Sequence, residues 1–391
     1  MLEIQKYLRE HGEASYPYFK DTLALMIKEA PDGRVLFKYN QINSPMSESI
    51  CKEARGIILD KNNNWKIISW PFYKFFNYGE GHAAKIDLAS SSILEKVDGT
   101  NITLYYWKDK WRTQTLGMMD AEGCVNNSFP PTTFHELFFK TLGVSLDTLA
   151  KYLDPNFTYT FELATPYNRI VTRYEKDRIV LLSMRDLGNQ EKFDTKNSIT
   201  HGELSYQKIS QEHQNFKHLP VEIVTRYSVA VSSLEDVARL ASELPQMAEG
   251  YVVVDKDFNR VKVKNPSYLA LLHLKDSSSS SVRALVQLVL KNEGSEFLAY
   301  FPEFTEQYNC IAESLNDLKT KLKTVYEANK HFEVQKDFAL AIQATGVPFL
   351  SILFCVRSGR YSSIDEGFTD LDPKRVVETL KMKEIEKAGD W

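Results

Sequence analysis

Lys96 is the side chain of this sequence best set for covalent chemistry. The run Ser92-Ile93-Leu94-Glu95-Lys96-Val97 reads as a strand, and Asp98-Gly99 as the bend that ends it. A second strand follows over Asn101 to Trp107, and a turn at Lys108-Asp109-Lys110 leads into a third over Trp111 to Leu116. An amine at a strand end beside a tight turn is held by a rigid sheet, as a nucleophile toward phosphorus must be. The attack needs the unprotonated amine. A free lysine titrates near about 10.4, so burial or neighbouring positive charge must favour the neutral form.

Four further segments carry charge on short apolar strands. Thr160-Phe161-Glu162-Leu163 bears one acid, Ile179 to Asp186 is a buried strand ending in charge, and Glu249 opens the strand Gly250 to Val254. The fourth is Arg260-Val261-Lys262-Val263-Lys264, where alternation puts Lys262 and Lys264 on one face and the valines on the other. Two ammonium groups can then meet one phosphate while the valines pack. Together with a divalent metal they would repel a proton from Lys96 and stabilise phosphoryl oxygens. Glu162 and Glu249 suit a ribose hydroxyl and a magnesium ion.

The elements that hold these residues must come from a chain of 391 residues, 43% hydrophobic and 12% aromatic, which is ample for two packed domains. A formal charge of -4 gives no global basic field, which argues against a protein that only coats nucleic acid. Cys51, Cys124, Cys310 and Cys355 lie far apart, against both a zinc site and a disulfide framework, so a reducing, cytoplasmic setting is expected. No apolar run has the length of a membrane span. Met1 to Lys6 lacks a signal-peptide core, so the chain is expected to stay where it is made. From about Arg34 to Lys264 the pattern is α+β with largely antiparallel strands, interrupted by helices near Thr132 to Tyr152 and Ser233 to Met247. Gly56 to Asp60, a turn at Lys61 to Asn64, and Trp65 to Trp70 predict a hairpin. After Lys264 the strands stop. The serines at 277 to 281 read as a linker, and Val282 to Lys291, Glu303 to Asn329 and Phe338 to Thr345 have helical spacing. The tail from Lys374 to Lys387 is interleaved with Glu378, Glu384 and Glu386, as on a solvated helix face.

Taken in order, these segments resemble the covalent nucleotidyltransferase superfamily of ligases and capping enzymes, and within it the RNA ligase 1 family of T-even bacteriophages. The likeness runs from about Tyr39 to beyond Tyr268. It includes Glu53-Ala54-Arg55-Gly56-Ile57, Pro71 to Asn77, Ala164 to Val171, and Lys262-Val263-Lys264 followed by Tyr268 and Leu272-His273. The resemblance implies an α+β nucleotidyltransferase domain of the ATP-grasp-like DNA/RNA ligase kind over residues 1–275. An all-α C-terminal domain that recognises RNA or tRNA would follow over 276–391. Lys96 would be the adenylylated lysine, with Tyr39, Arg55 and Lys74 lining the ATP site and the two cations on the β- and γ-phosphates. Glu162 would hold the ribose, Glu249 a metal, Lys262 and Lys264 the α-phosphate, and Tyr268 would serve ligation. A second metal-linked carboxylate falls at Glu296. One departure is Leu116-Gly117, where the family tends to carry a basic residue before the glycine. Read without the resemblance, Arg55 and Lys74 suit ion pairs, and Tyr268 suits packing.

The implied activity is ATP-dependent RNA ligation through lysyl-AMP and an adenylylated RNA, with magnesium, or manganese in its place. The substrates would be broken tRNA or single-stranded RNA ends. A monomer without membrane attachment is expected, in the cytoplasm of the host cell if phage-encoded. Two alternatives stand beside it. A DNA ligase or mRNA capping guanylyltransferase would normally follow Lys262-Val263-Lys264 with an OB-fold of short strands, and the helical pattern argues against that. A non-catalytic nucleotide-binding assembly protein would not need a competent side chain at each of these positions.

Overall fold

The computed structural model describes residues 1–125, 131–188, 190, 202–269, 281–300 and 302–382. The chain divides into two compact units, Met1–Leu269 and Ala270–Trp391. In chain order the strands are β1 Leu25–Glu29, β2 Arg34–Tyr39, β3 Arg55–Asp60, β4 Lys66–Ser69, β5 Phe76–Asn77, β6 Ser92–Glu95 and β7 Thr100–Trp107. They continue with β8 Lys110–Gln114, β9 Phe157–Ala164, β10 Arg178–Asp186, β11 Val221–Ile223, β12 Arg226–Tyr227, β13 Gly250–Val254 and β14 Arg260–Lys264.

These strands make three sheets, ordered β1-β2-β3-β4, β11-β10-β9-β7-β8 and β12-β6-β13-β14-β5. All neighbours are antiparallel except β10 with β11 and β14 with β5, so the α+β, largely antiparallel expectation holds. The predicted hairpin forms between β3 and β4, where the Asp60 side chain accepts the Asn62 N–H and closes the turn. Each sheet buries an apolar face because its residues alternate. Val35, Phe37, Ile57 and Leu59 of the first sheet pack with Leu8 and Phe19. Phe161, Leu163, Ile179 and Leu181 of the second pack on Leu137 and Phe138 of the helix Phe134–Leu142, whose start is fixed by a capping box of Thr133 and Glu136. Val253, Val261 and Val263 of the third pack on Val237 and Ala241 of the helix Leu234–Ser242. Burying one such valine stabilises by about 1.5–3 kcal/mol.

A buried ion triad joins the sheets. Arg185 of β10 lies 4.1 Å over the Trp70 ring, donates to the Trp70 carbonyl at 3.0 Å and pairs with Glu203 at 3.2 Å. Glu203 also pairs with Arg260 of β14. Removing one partner would leave a buried charge and cost about 3–5 kcal/mol. The triad therefore fixes the strand that carries Lys262.

Beyond the sequence expectation, the first unit begins with a helix, Glu3–His11, and the strand β1. The helix is short, and its first N–H groups donate to Glu53, at 3.1 Å from Glu3 and 2.8 Å from Ile4. That partner is some fifty residues away, so no local pattern announces it. In the second unit the described elements are helices, chief among them Ser281–Lys291, Gly294–Tyr300, Thr305–Asn329, Gln335–Gln343, Ser351–Arg357, Ile364–Thr369 and Pro373–Thr379. Their core includes Val286, Leu288, Leu315, Leu322, Phe338, Ile342 and Leu353. Leu272, His273, the serines at 277–280 and the tail from 383 onward lie outside the described residues. Among the described residues, no helix is long and apolar enough to cross a membrane.

Candidate active site

Lys96 stands one residue past β6. Its N–H donates to the Gly250 carbonyl at 3.0 Å, and its Nζ pairs with Glu249 Oε1 at 2.6 Å. The turn behind it is pinned by Asp98, which is 3% exposed. The Asp98 carboxylate accepts the Val171 and Thr172 N–H groups at 2.9 and 2.7 Å and the Tyr268 hydroxyl at 3.0 Å. The Asp98 N–H donates to the Tyr174 hydroxyl at 2.9 Å. A Cβ at position 99 would run into the Leu163 carbonyl, so only glycine lets this turn lie against β9 beside Glu162. Gly250 has φ +134°, and a Cβ there would meet the Val263 carbonyl, so glycine also admits the close approach of β13 to β14 beside Lys96.

Two acids face the nucleophile. Burial, reinforced by Glu249, pushes the Glu162 carboxyl up to about 8, against the opposing pull of Lys96, Arg55 and the Asn101 amide. Burial also raises Glu249, with Asp98 adding to it and Lys96 and Lys264 opposing. Lys262 lies well below the ordinary lysine value, first through burial and then through Lys74, Lys264, Lys96 and Arg55. Five cations thus share one space in a chain whose net charge is negative. Such a cluster favours a polyanionic occupant.

Aromatic rings hold these cations. Arg55 lies over Phe75 at 5.3 Å and Phe72 at 5.7 Å, and Lys262 lies over Phe75 at 5.2 Å. Lys74 lies over Tyr39 at 4.8 Å and Phe76 at 5.1 Å. Burial alone would raise the Tyr39 phenol, but Lys74, Arg55 and Lys38 hold it below its usual value. The buried Arg55 Nη1 has no hydrogen-bond partner among the described residues. A buried donor of this kind calls for an acceptor supplied from outside the chain.

The fold therefore brings together Lys96, Glu162, Glu249, Lys262, Lys264, Arg55, Lys74 and Tyr39. Tyr268 is 1% exposed and sits beneath the turn as the partner of Asp98. Glu296 falls in the helix Gly294–Tyr300 of the second unit, and its side chain lies outside those described. Among the described residues, no three His, Cys, Asp or Glu side chains form a ready metal site. Glu162 and Glu249 are the two acids that influence one another beside Lys96, and as hard oxygen donors they fit a magnesium ion completed by water and phosphate.

Sequence reasoning missed two residues. Glu53 is 2% exposed, caps the first helix and so anchors the segment leading into Arg55, and burial pushes its carboxyl up to about 7. Lys38 reaches the segment that lacks a basic residue, with its Nζ 3.5 Å from where a Cβ on Gly117 would stand. Burial pushes the Lys38 amine down. A lone lysine within Val35-Leu36-Phe37-Lys38-Tyr39 was the signal available.

The RNA ligase family model matches residues 53–268, within the first unit. An RNA ligase of Rhodothermus phage RM378 is 27% identical over 340 residues, covering 75% of each chain. A putative bifunctional polynucleotide kinase/RNA ligase of Autographa californica nuclear polyhedrosis virus is 28% identical over 401 residues, covering 97% of this chain. The chain spans about half of that relative, 53% of its length. Among solved structures, an archaeal ATP-dependent RNA ligase aligns with a TM-score of 0.47 and 11% identity, covering 81% of this chain and 82% of its own.

Proposed function

The chain belongs to the RNA ligase family, and from that premise we propose that it joins RNA ends with ATP, through an adenylyl group carried on Lys96. In the first step the Lys96 Nζ attacks the α-phosphorus, forming an N–P bond as the bond to pyrophosphate breaks. Glu249, 2.6 Å from Nζ and made more basic by burial, is the nearest acceptor for the departing proton. Lys262 and Lys264 share one face of β14 and meet the α-phosphate, while Arg55 and Lys74, backed by Tyr39, take the β- and γ-phosphates. Glu162 accepts a ribose hydroxyl. Glu249 would hold the divalent ion, magnesium or manganese, directly or through water, and the ion would supply charge neutralisation at the phosphates.

In the second step AMP passes from Lys96 to an RNA 5′-phosphate. In the third a 3′-hydroxyl attacks that activated phosphate, forming the phosphodiester and releasing AMP. All three are in-line displacements at phosphorus, so one cationic pocket serves them. The helical unit contributes RNA recognition, and the substrates are single-stranded ends such as those of a cleaved tRNA loop, sealed by a monomer in the cytoplasm.

The observation that carries the reading is the convergence of Lys96, Lys74, Lys264 and Arg55 on Lys262, together with the unpaired Arg55 donor. Against a DNA ligase or capping enzyme stands the absence of any strand after Lys264 among the described residues. Incubation with α-labelled ATP and magnesium, followed by denaturing electrophoresis, tests it. A labelled protein band that discharges onto 5′-phosphorylated RNA rather than DNA is expected. Absence of the band would overturn the lysyl-AMP route.

A further inference from the structure

We propose that a cleft beside Lys74 binds one unpaired nucleotide of the RNA strand, its base against Phe258 and His82 and its phosphate toward Lys52. This rests on the RNA ligase reading and adds a substrate subsite to it. The cleft has a volume of about 230 Å³, and its lining includes Lys52, Lys74, Phe76, His82, Phe258 and Arg260. Among the described residues, no carboxylate lines it. Sites that enclose a whole small ligand run to roughly 300–1,000 Å³, so this one suits a base-sized part of a longer chain. Rings interleaved with cations are the chemistry of single-stranded nucleic acid, because any base offers a face to stack and any backbone a phosphate to pair.

Phe258 gives the cleft its second argument. It has φ +62°, a conformation that bulky side chains rarely adopt. The surrounding turn enforces it. Asp255 Oδ1 accepts the Asp257 and Asn259 N–H groups, each at 3.0 Å, Oδ2 accepts Asn259 Nδ2 at 3.0 Å, and the Phe258 N–H donates to the Asp255 carbonyl at 3.0 Å. The turn is the loop of the β13–β14 hairpin, and it sets the Phe258 ring in the lining of the cleft. The exposed His82 ring stands 5.5 Å from Phe76. The Lys74 N–H donates to the Lys52 carbonyl at 2.8 Å, which ties the cationic wall to the short helix Ser49–Glu53 that leads into Arg55. Arg260 is held by Glu203 and Lys74 faces the ATP phosphates, so Lys52 supplies the charge for the RNA phosphate.

The test uses the full chain and fluorescent single-stranded RNA with a 5′-phosphate. Phe258→Gly removes the ring and accepts the positive φ, whereas Phe258→Tyr keeps a ring. The glycine variant should weaken RNA binding about tenfold and the tyrosine variant less than about twofold. Lys52→Ala should weaken binding and lower its salt dependence by about one phosphate contact. The rate of labelling by ATP should stay within about twofold in all three. Wild-type RNA affinity in Phe258→Gly would overturn the subsite, and a parallel loss of ATP labelling would assign the cleft to the nucleotide instead. A wild-type protein that binds RNA but never labels with ATP would defeat the lysyl-AMP reading and leave this measurement intact.

Discussion

Glu162→Gln should make the free protein more stable and less active at once. The substitution keeps the shape of the side chain and removes its ionisation. In the folded chain burial lifts this carboxyl from 4.5 to about 8. Below pH 4.5 both folded and unfolded chains hold the proton, and nothing is lost. As pH rises further, the unfolded chain ionises freely while the folded one resists. Wild-type stability therefore falls by about 1.4 kcal/mol per pH unit until the folded group titrates. At pH 7 the loss reaches at most about 3 kcal/mol, or roughly 6–12 °C in Tm for a domain of this size. The glutamine variant lacks this contribution. The raised Glu53 and Glu249 carboxyls are present in both proteins, so the difference between the curves reports Glu162. Tm measured from pH 5 to 8 should show curves that nearly meet at the acid end and separate toward pH 8, with the variant higher. Labelling by ATP should fall at least about tenfold in the same variant. Parallel Tm curves would refute the placement of Glu162 in a dry site against Glu249.

Lys262→Ala and Lys264→Ala should each slow labelling by about two orders of magnitude, read by single-turnover gel assay, because each removes an oriented charge from the α-phosphate. Lys262→Ala should not lower Tm in the free protein, since that amine is buried among four other cations. Tyr268→Phe keeps the buried ring but leaves the carboxylate of Asp98 short of one donor, so denaturant unfolding should show a loss of about 1–3 kcal/mol. Sealing should slow as the nucleophile turn loosens. A chain ending at Leu269, shown by circular dichroism to be folded, should retain more ATP labelling than RNA joining, because every nucleotide-facing residue named here precedes that point.

Local chemistry was legible where period and bend are local. The Lys96 to Gly99 turn, the hairpin β3–β4 and the alternation of β14 all follow from neighbours in sequence. The helices Ser281–Lys291, Thr305–Asn329 and Gln335–Gln343 follow in the same way from their 3.6-residue spacing, whereas the shorter Gly294–Tyr300, Ser351–Arg357 and Ile364–Thr369 carry too few turns for that period to show. What stayed hidden depends on partners far along the chain. The cap from Glu53 to the first helix, the bond between Asp98 and Tyr268 across 170 residues, and the Arg185–Glu203–Arg260 triad have no local signature. Lys38 was missed because a lysine in an apolar strand reads as an edge residue until the fold sets Gly117 against it. Tyr268 matched a ligation residue by resemblance, and the structure adds its grip on the nucleophile turn.

The most direct measurement is mass spectrometry and sealing assays on Lys96→Ala. With ATP and magnesium the wild-type protein should gain one AMP, on the peptide containing Lys96, and the variant none. The variant should still join RNA that already carries a 5′-adenylate, because that step needs the pocket and not the amine. An AMP adduct on the variant, or one on another residue of the wild-type chain, would contradict the account.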